Sequence, residues 1–322
     1  MRRLPARLRR YARRVRSRLV VAPGVLLVAA AAALWGTDAL LRKPLAASTQ
    51  AATIVFFEHV VLVLLVLPLI PAALAAVARA GRRYVVAAVA IGAGASATAT
   101  ILFTQAFVQG DPVTPVVLQK VQPLVAVVGA WFILGERPRA HFGWFLAAGL
   151  VGTWLIAFPS PFEIEVAAAL PALYALGAAV LWAFGTVLGR MLATRLRFQH
   201  VTTLRFAFGL PASALAVFLV GAPFTTSASD AGWIAALAIV TGLVALSLYY
   251  YGLRKTPAVI AALAELTFPV TAAAVGYLAF DATLDGTQWV GVAVTAVVVL
   301  LLPVTGARVL RAPAKELVPA TS

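Results

Sequence analysis

The sequence predicts an all-α integral membrane protein with ten transmembrane helices in two inverted five-helix repeats. Three observations predict this fold class: the hydropathy of the chain, the distribution of its basic residues, and matched positions in its two halves. Of the 322 residues, 62% are hydrophobic and 11% are charged, and the mean hydropathy is +0.97. Soluble domains carry about 25% charged residues, so too little polar surface is present to cover a soluble fold of this length.

Apolar segments recur along the whole chain, each close to the ~20 residues that a helix needs to cross a bilayer. The connections between them are short, so we expect no separate soluble domain. The predicted spans are 20–42, 53–78, 84–109, 113–134, 142–159, 166–189, 201–221, 231–253, 257–280 and 287–305.

The basic residues predict an orientation for these spans. With the N-terminus in the cytoplasm, 22 of the 26 Lys and Arg residues lie in cytoplasmic segments. Arg42 and Lys43 fall in an outer loop, and Lys120 and Arg205 lie within spans. This bias is the positive-inside distribution. It predicts a multi-pass protein of the plasma (inner) membrane with both termini cytoplasmic.

The first 18 residues contain nine arginines. A nucleic-acid-binding arm and a signal or transit peptide are alternatives. A basic run before a first span more often fixes orientation and contacts anionic lipid, so we expect membrane lipids as partners and no nucleic acid. The expected organisation is a basic cytoplasmic segment 1–19, a first repeat 20–160, a second repeat 166–306 and a cytoplasmic tail 307–322.

The two halves of the chain carry matching residues at offsets of 145 to 147 positions. Because each half has five spans, an odd number, the second half crosses the membrane in the opposite sense. Inverted repeats of this kind are frequent in transporters; the alternative is chance similarity between Ala-, Leu- and Val-rich helices. The matched pairs are Trp35 with Trp182, Glu58 with Arg205, Pro123 with Pro269, Glu136 with Asp281, and Trp144 with Trp289.

Several short motifs resemble those of EamA repeats. In the first half these are LWGT at 34–37, PVVLQKVQP at 115–123 and LGER at 134–137; in the second half they are LWAFGT at 181–186 and LAELTFP at 263–269. The resemblance implies an EamA-type transporter of the drug/metabolite transporter superfamily, with a central cavity and often an export function. The second half departs from the pattern with FDA at 280–282, and span two carries Glu58 and His59 where many repeats place a basic residue.

Ionisable residues within spans are costly and usually face a cavity or a partner. Lys120 and Glu265 lie roughly 10 to 12 Å from the nearer membrane surface, one turn before the matched prolines Pro123 and Pro269. Proline frees a backbone carbonyl one turn back, which a wet cavity can satisfy. We therefore predict a substrate site at these four residues and the adjacent Gln119. The alternative is a buried Lys120–Glu265 ion pair that locks the two halves together.

Other residues of the spans complete the predicted site. Desolvation favours the neutral form of a carboxyl group, so Glu58 is a candidate for proton coupling; the alternative is a rim residue that reaches water. Trp35 and Trp182 recur in both halves and are predicted to line the substrate pocket. Simpler roles are predicted for the remaining residues: packing or interface anchoring for Trp131, Phe184 and Tyr277, snorkelling for Arg205 and an entrance or capping role for Asp38.

The sequence favours a secondary active transporter that exports small metabolites, amino acids or drug-like compounds by alternating access, with protons favoured over sodium as the coupling ion. A flippase of a lipid or lipid-linked precursor is the alternative, and a membrane scaffold is a weaker one. Because the chain has no cysteine and no nucleotide-binding or hydrolase motif, we expect no enzyme activity, no metal and no cofactor. A homodimer is left open.

Overall fold

The computed structural model describes residues 23–46, 48–109, 118–138, 140–158 and 169–309. Within these ranges the chain forms helices and no β-strand. Most of the predicted basic segment and cytoplasmic tail lie outside the described residues. In chain order the helices are α1 Pro23–Leu45, α2 Ala51–Ala80, α3 Arg82–Ala106, α4 Gln122–Leu134, α5 Ala140–Ala157, α6 Leu170–Ala193, α7 Phe198–Val220, α8 Ala228–Leu253, α9 Ala258–Ala279 and α10 Gly286–Pro303.

Each predicted span corresponds to one of these ten helices of the described chain. Eight are long and apolar enough to cross a membrane, and α4 and α5 are shorter apolar helices. Residues 113–117, the first part of the predicted fourth span, lie outside the described residues. The fold class predicted from the sequence, an all-α membrane protein built from two five-helix repeats, is confirmed.

Irregular backbone recurs at matching places in the two halves. A π-helical segment interrupts α3 at Ile91–Thr98, and a second interrupts α8 at Ala238–Val244, 147 residues later. A 3₁₀ turn at Gln119–Val121 precedes α4, and α9 is broken between Ala264 and Thr267. π-segments and breaks leave carbonyls without their usual helical donors, so such backbone is tolerated in a membrane where protein or a cavity satisfies it.

Packing between the helices follows the same symmetry. Exchange of the two halves pairs α1 with α6, α2 with α7, α3 with α8, α4 with α9 and α5 with α10. Under this exchange the observed contacts of α2 with α7, α4 with α9 and α5 with α10 stay the same. The contact of α3 with α6 becomes the contact of α8 with α1, which is also observed. The second half is therefore related to the first by an internal pseudo-twofold axis.

Small residues allow the closest helix crossings. A Cβ atom added at Gly92 in α3 would lie 2.9 Å from the Arg205 carbonyl oxygen of α7, and one added at Gly291 in α10 would lie 2.5 Å from the Gly152 carbonyl oxygen of α5. Lipid gives helices little hydrophobic drive to associate, so close van der Waals packing of this kind holds a bundle together. Gly92 thus allows α3 to approach α7 closely.

Candidate functional site

A cavity of about 740 Å³ lies between the two halves. Helices α1, α2, α3, α6, α7, α8 and α9 line it, together with the residues around the start of α4, whereas α5 and α10 contribute none of its described lining. This size is within the range of pockets that hold drug-sized ligands. The contributors come from both halves, so a relative movement of the halves changes the cavity.

The irregular backbone described above opens onto this cavity. Ser96 and Thr241 belong to the two π-segments, and Gln119 and Glu265 lie at the breaks that precede the matched prolines. Two of the π-segment carbonyls accept bonds from side chains: Arg205 Nη2 donates to the Ala95 oxygen, and Trp35 Nε1 donates to the Thr241 oxygen, each at 3.0 Å. Polar backbone is thus concentrated where the halves meet.

One carboxylate of the cavity is ion-paired. Arg42 Nη2 lies 3.0 Å from Glu58 Oε1 and 3.0 Å from Asp38 Oδ1, and its Nε lies 2.6 Å from Asp38 Oδ2. The side chains of Arg42 and Glu58 are 13% and 8% exposed. One guanidinium therefore contacts two carboxylates, which leaves one negative charge in excess when both are ionised. This cluster lies at the end of the bundle where α1 ends and α2 begins, which we call the α1–α2 end.

Neutral donors bind the other buried carboxylate. Glu265 accepts hydrogen bonds from Tyr249 OH at 2.7 Å, Gln122 Nε2 at 2.7 Å and Thr186 Oγ1 at 3.0 Å. These donors come from α8, α4 and α6. Among the described side chains no Lys or Arg is ion-paired with Glu265. This cluster is displaced toward the opposite end of the bundle, where α8 ends and α9 begins, which we call the α8–α9 end.

His59 lies beside Glu58 in the sequence but makes different contacts. Its Nδ1 donates to the Val55 carbonyl at 2.7 Å, and its Nε2 accepts from Ser96 Oγ at 3.0 Å. The carbonyl acceptor assigns the neutral Nδ1–H tautomer. A Cβ atom at Gly209 would collide with this ring, so the glycine leaves the space that the histidine occupies between α2, α3 and α7.

The matched tryptophans lie on different parts of the cavity wall. The Trp35 ring centroid lies 5.1 Å from that of Tyr249, and the Trp182 centroid lies 5.0 Å from that of Phe103. Both tilted contacts are within the range of favourable aromatic pairs. The cavity therefore offers flat apolar surfaces next to its polar groups.

Three polar atoms of the lining are buried and have no hydrogen-bond partner among the described residues. They are Arg42 Nη1, Arg205 Nε and Gln119 Oε1. Buried polar atoms are almost always satisfied by protein, water or a ligand. Because these atoms have almost no accessible surface, a molecule in the cavity reaches them only after the lining rearranges.

The halves also contact each other beyond the two ends of the cavity. At the α8–α9 end, Glu136 accepts from the backbone N–H groups of Ala258 and Val259, each at 3.1 Å, and caps the N-terminus of α9. Burial raises the pKa of the Glu136 carboxyl, while these amides and Arg190 act in the opposite direction. At the α1–α2 end, Asp230 accepts from Thr49 Oγ1 at 2.9 Å.

Comparison with known proteins gives the family. A model of the EamA-like transporter family matches residues 22–158 and 169–303, in both halves. The chain belongs to the EamA-like transporter family. It is thus a multi-pass membrane protein that transports small molecules, as its sequence motifs imply.

Two individual proteins resemble this EamA-like transporter. The riboflavin transporter ImpX of Fusobacterium nucleatum subsp. nucleatum is 29% identical over 272 residues, which cover 79% of this chain and 89% of that protein. A protein of known crystal structure superposes with a TM-score of 0.68 at 19% identity, covering 88% of this chain and 97% of that one. The second likeness concerns the fold alone.

The structure of this EamA-like transporter brings most of the predicted site residues together. The side chain of Lys120 lies outside the described residues, so neither its predicted role in substrate binding nor its pairing with Glu265 can be placed. Seven of the eight predicted residues line the cavity; their part in binding or coupling stays a prediction. They are Trp35, Glu58, Gln119, Pro123, Trp182, Glu265 and Pro269.

Three expectations about charged residues need correction. Arg42, placed by its charge in an outer loop, is buried beside Glu58 because two carboxylates compensate it. Glu58 is itself buried, so it is not a rim residue. Arg205, expected to snorkel to the surface, donates to Tyr250 OH at 3.0 Å and lines the cavity.

Sequence reasoning missed the donors to Glu265. Tyr249 is an uncharged residue within an apolar span and gave no signal. Thr186 ends the recognised motif at 181–186 and Gln122 stands beside Pro123 in another, so both could have been included. The aromatic residues assigned to packing, namely Trp131, Phe184 and Tyr277, do not line the cavity.

Proposed function

We propose that this chain is a secondary active transporter that moves small planar aromatic metabolites by alternating access, with riboflavin as the first substrate to test. The single observation that carries the proposal is the cavity between the halves, which combines aromatic walls with charged and amide side chains. The similarity to a riboflavin transporter supports this substrate class.

The chemistry of the lining favours a heteroaromatic compound that carries both acceptors and donors on one edge. The guanidinium groups of Arg42 and Arg205 donate hydrogen bonds, and the amide of Gln119 both donates and accepts, so the lining suits a ligand with acceptor and donor atoms. The isoalloxazine ring of riboflavin offers carbonyl oxygens and an imide N–H on one edge of a flat ring. Trp35 and Trp182 provide surfaces on which such a ring can stack.

Alternating access is supported by the contacts at the two ends. The contact of Glu136 with the N-terminus of α9 joins the halves at the α8–α9 end, and that of Asp230 with Thr49 joins them at the α1–α2 end. We propose that one set of contacts opens while the other closes, as two inverted repeats move about a fixed site. The repeats have the proposed bounds 20–160 and 166–306.

Orientation, direction and coupling complete the proposal. The charge distribution supports a plasma (inner) membrane location with the α8–α9 end and both termini in the cytoplasm. Transport runs outward and is coupled to protons. Glu265 is the proposed proton carrier, because its described partners are neutral donors that can bind it in either protonation state.

Riboflavin efflux from proteoliposomes tests the proposal, because riboflavin fluorescence reports its own concentration. We expect efflux that depends on a pH gradient and not on sodium, and that falls strongly in Glu265→Gln. Asp285→Asn is the matched control, because Asp285 is an exposed carboxylate that does not line the cavity. If efflux equals that of liposomes prepared without protein, riboflavin is not a substrate. Efflux that follows sodium alone would refute proton coupling.

A further inference from the structure

A second cavity, of about 550 Å³, lies at the α8–α9 end of the bundle. The end of α2, the start of α3 and the connection from α6 to α7 form it, so both halves contribute. It shares no lining residue with the central cavity. Its lining consists of Ala76, Arg79, Ala80, Arg83, Tyr84, Arg195, Leu196, Arg197 and His200.

Four arginines give this cavity a strong positive charge. Arg79, Arg83, Arg195 and Arg197 are all exposed side chains of the lining. None of them is ion-paired with a carboxylate in the part of the chain that the structure describes. Like charges held close together repel, so the arrangement is unfavourable unless an anion offsets it.

The guanidinium of Arg83 is already oriented. Its Nη2 donates to Tyr84 OH at 2.8 Å, and its central carbon lies 4.7 Å from the centroid of the Tyr84 ring. Tyr84 is only 5% exposed and therefore forms a fixed surface under the arginine. An Arg held in one orientation loses less entropy when it binds an anion.

Two helix N-termini add further donors. The first turns of α3 and α7 contribute to the lining, and no side chain caps either helix, whose N-cap residues are Gly81 and Arg197. Uncapped N-termini carry free N–H groups and partial positive charge. These groups all favour an anion.

We propose that this cavity binds a phosphate group, either of an anionic phospholipid headgroup or of a soluble phosphate compound. Phosphate has several acceptor oxygens and so matches forked guanidinium donors from different directions. Arg79 and Arg83 belong to the first half and Arg195 and Arg197 to the second, so the bound anion bridges the halves. It stabilises the relative position of the halves seen in this structure.

Direct binding to the purified full-length chain tests this site. Phosphatidylglycerol, with phosphatidylcholine as reference, is titrated and read by native mass spectrometry; inorganic pyrophosphate is titrated separately and read by thermal unfolding. The pocket variant is Arg83→Gln/Arg195→Gln. The matched control is Arg82→Gln/Arg254→Gln, which removes the same charge from exposed residues at the same end that do not line the pocket.

We expect the pocket variant to lose about tenfold or more in affinity for at least one probe, and the control to stay within about twofold of wild type. Loss of phosphatidylglycerol binding assigns the site to a lipid headgroup, and loss of pyrophosphate binding assigns it to a soluble phosphate. Equal losses in the two variants, or no specific binding to wild type, would overturn the proposal, since basic residues at a membrane surface attract anions diffusely.

A second variant guards against misfolding of the first. Arg83→Lys/Arg195→Lys keeps the charge but removes the forked geometry, so a built site loses affinity whereas a diffuse attraction does not change. The readouts are independent of riboflavin. The phosphate site can therefore be refuted while riboflavin transport is confirmed, or confirmed while riboflavin transport is refuted.

Discussion

The two buried carboxylates of the central cavity, Glu58 and Glu265, are stabilised in different ways. Glu58 shares the guanidinium of Arg42 with Asp38, whereas Glu265 accepts three hydrogen bonds from Tyr249, Gln122 and Thr186. A charge paired with a fixed cation gains little from taking up a proton. A carboxylate bound by neutral donors has no such direct partner, and the desolvation of its charge is offset by hydrogen bonds and by the more distant guanidinium of Arg205. The comparison therefore supports the proposed coupling role of Glu265 and favours a structural role for Glu58.

Removal of the cation should have the largest effect on stability. In Arg42→Gln, Asp38 and Glu58 lose their common partner, and breaking a buried ion pair costs about 3 to 5 kcal/mol. We expect the free energy of unfolding to fall by that order, with a lower melting temperature measured by scanning fluorimetry in detergent.

The double variant Arg42→Gln/Glu58→Gln sharpens this test. Neutralising one carboxylate together with the cation should restore a large part of the lost stability, because fewer buried charges are left uncompensated. If the stability losses of Arg42→Gln and Glu58→Gln add up to the loss of the double variant, the ion pair makes no energetic contribution. The proposed difference between Glu58 and Glu265 would then be wrong.

Neutralisation of Glu265 should leave folding largely intact and remove coupling. The amide of Glu265→Gln can still accept from Tyr249 and Thr186, so the melting temperature should change little. Efflux driven by a pH gradient should fall about 10- to 100-fold, which corresponds to the free energy lost when a hydrogen-bonded charge is removed. Exchange of substrate at equal concentrations on both sides should persist. If Glu58→Gln abolishes the response to the pH gradient and Glu265→Gln does not, the two roles are reversed.

The helices and their repeat were predictable because hydropathy and basic residues report the membrane directly. Trp35, Glu58, Pro123 and Glu265 stood out as a charge, a proline or a matched tryptophan within an apolar span, and the structure places all four on the cavity. Their roles were not predictable to the same degree. The hydrogen-bond and ion-pair partners of these residues depend on distances between helices, which a linear sequence does not contain.

Arg42 and Tyr249 show why the remainder of the site was missed. Arg42 stands at the end of a span, where charge counting assigns it to a loop; only the fold shows that two acids lie within 3.0 Å of it. Tyr249 is one of three consecutive tyrosines, and the helix directs only this hydroxyl to Glu265. The π-segments were likewise invisible, because a run of Gly, Ala, Ser and Thr predicts packing as readily as irregular backbone.

Removal of one neutral donor should have a moderate effect. Tyr249→Phe removes the hydroxyl that donates to Glu265 at 2.7 Å and also lies 2.9 Å from Thr186 Oγ1. We expect pH-gradient-driven efflux to fall about tenfold, because a hydrogen bond to a charged group contributes roughly 1.5 to 3 kcal/mol. Tyr251→Phe is the matched control, since Tyr251 is partly exposed and does not line the cavity. Equal losses in the two variants would indicate a general effect on the helix.

The matched tryptophans should give the smallest effect and a difference between the halves. Trp35→Phe keeps the ring contact with Tyr249 but deletes the bond from Nε1 to the Thr241 carbonyl, in the π-segment of α8. Trp182→Phe keeps the ring contact with Phe103. We expect about three- to tenfold weaker riboflavin binding in Trp35→Phe, measured by fluorescence quenching, and a smaller change in Trp182→Phe, because a lost neutral hydrogen bond is worth about 1 kcal/mol. A larger loss in Trp182→Phe would show that the substrate stacks on the second half, and that the π-segment carbonyl needs no donor from Trp35.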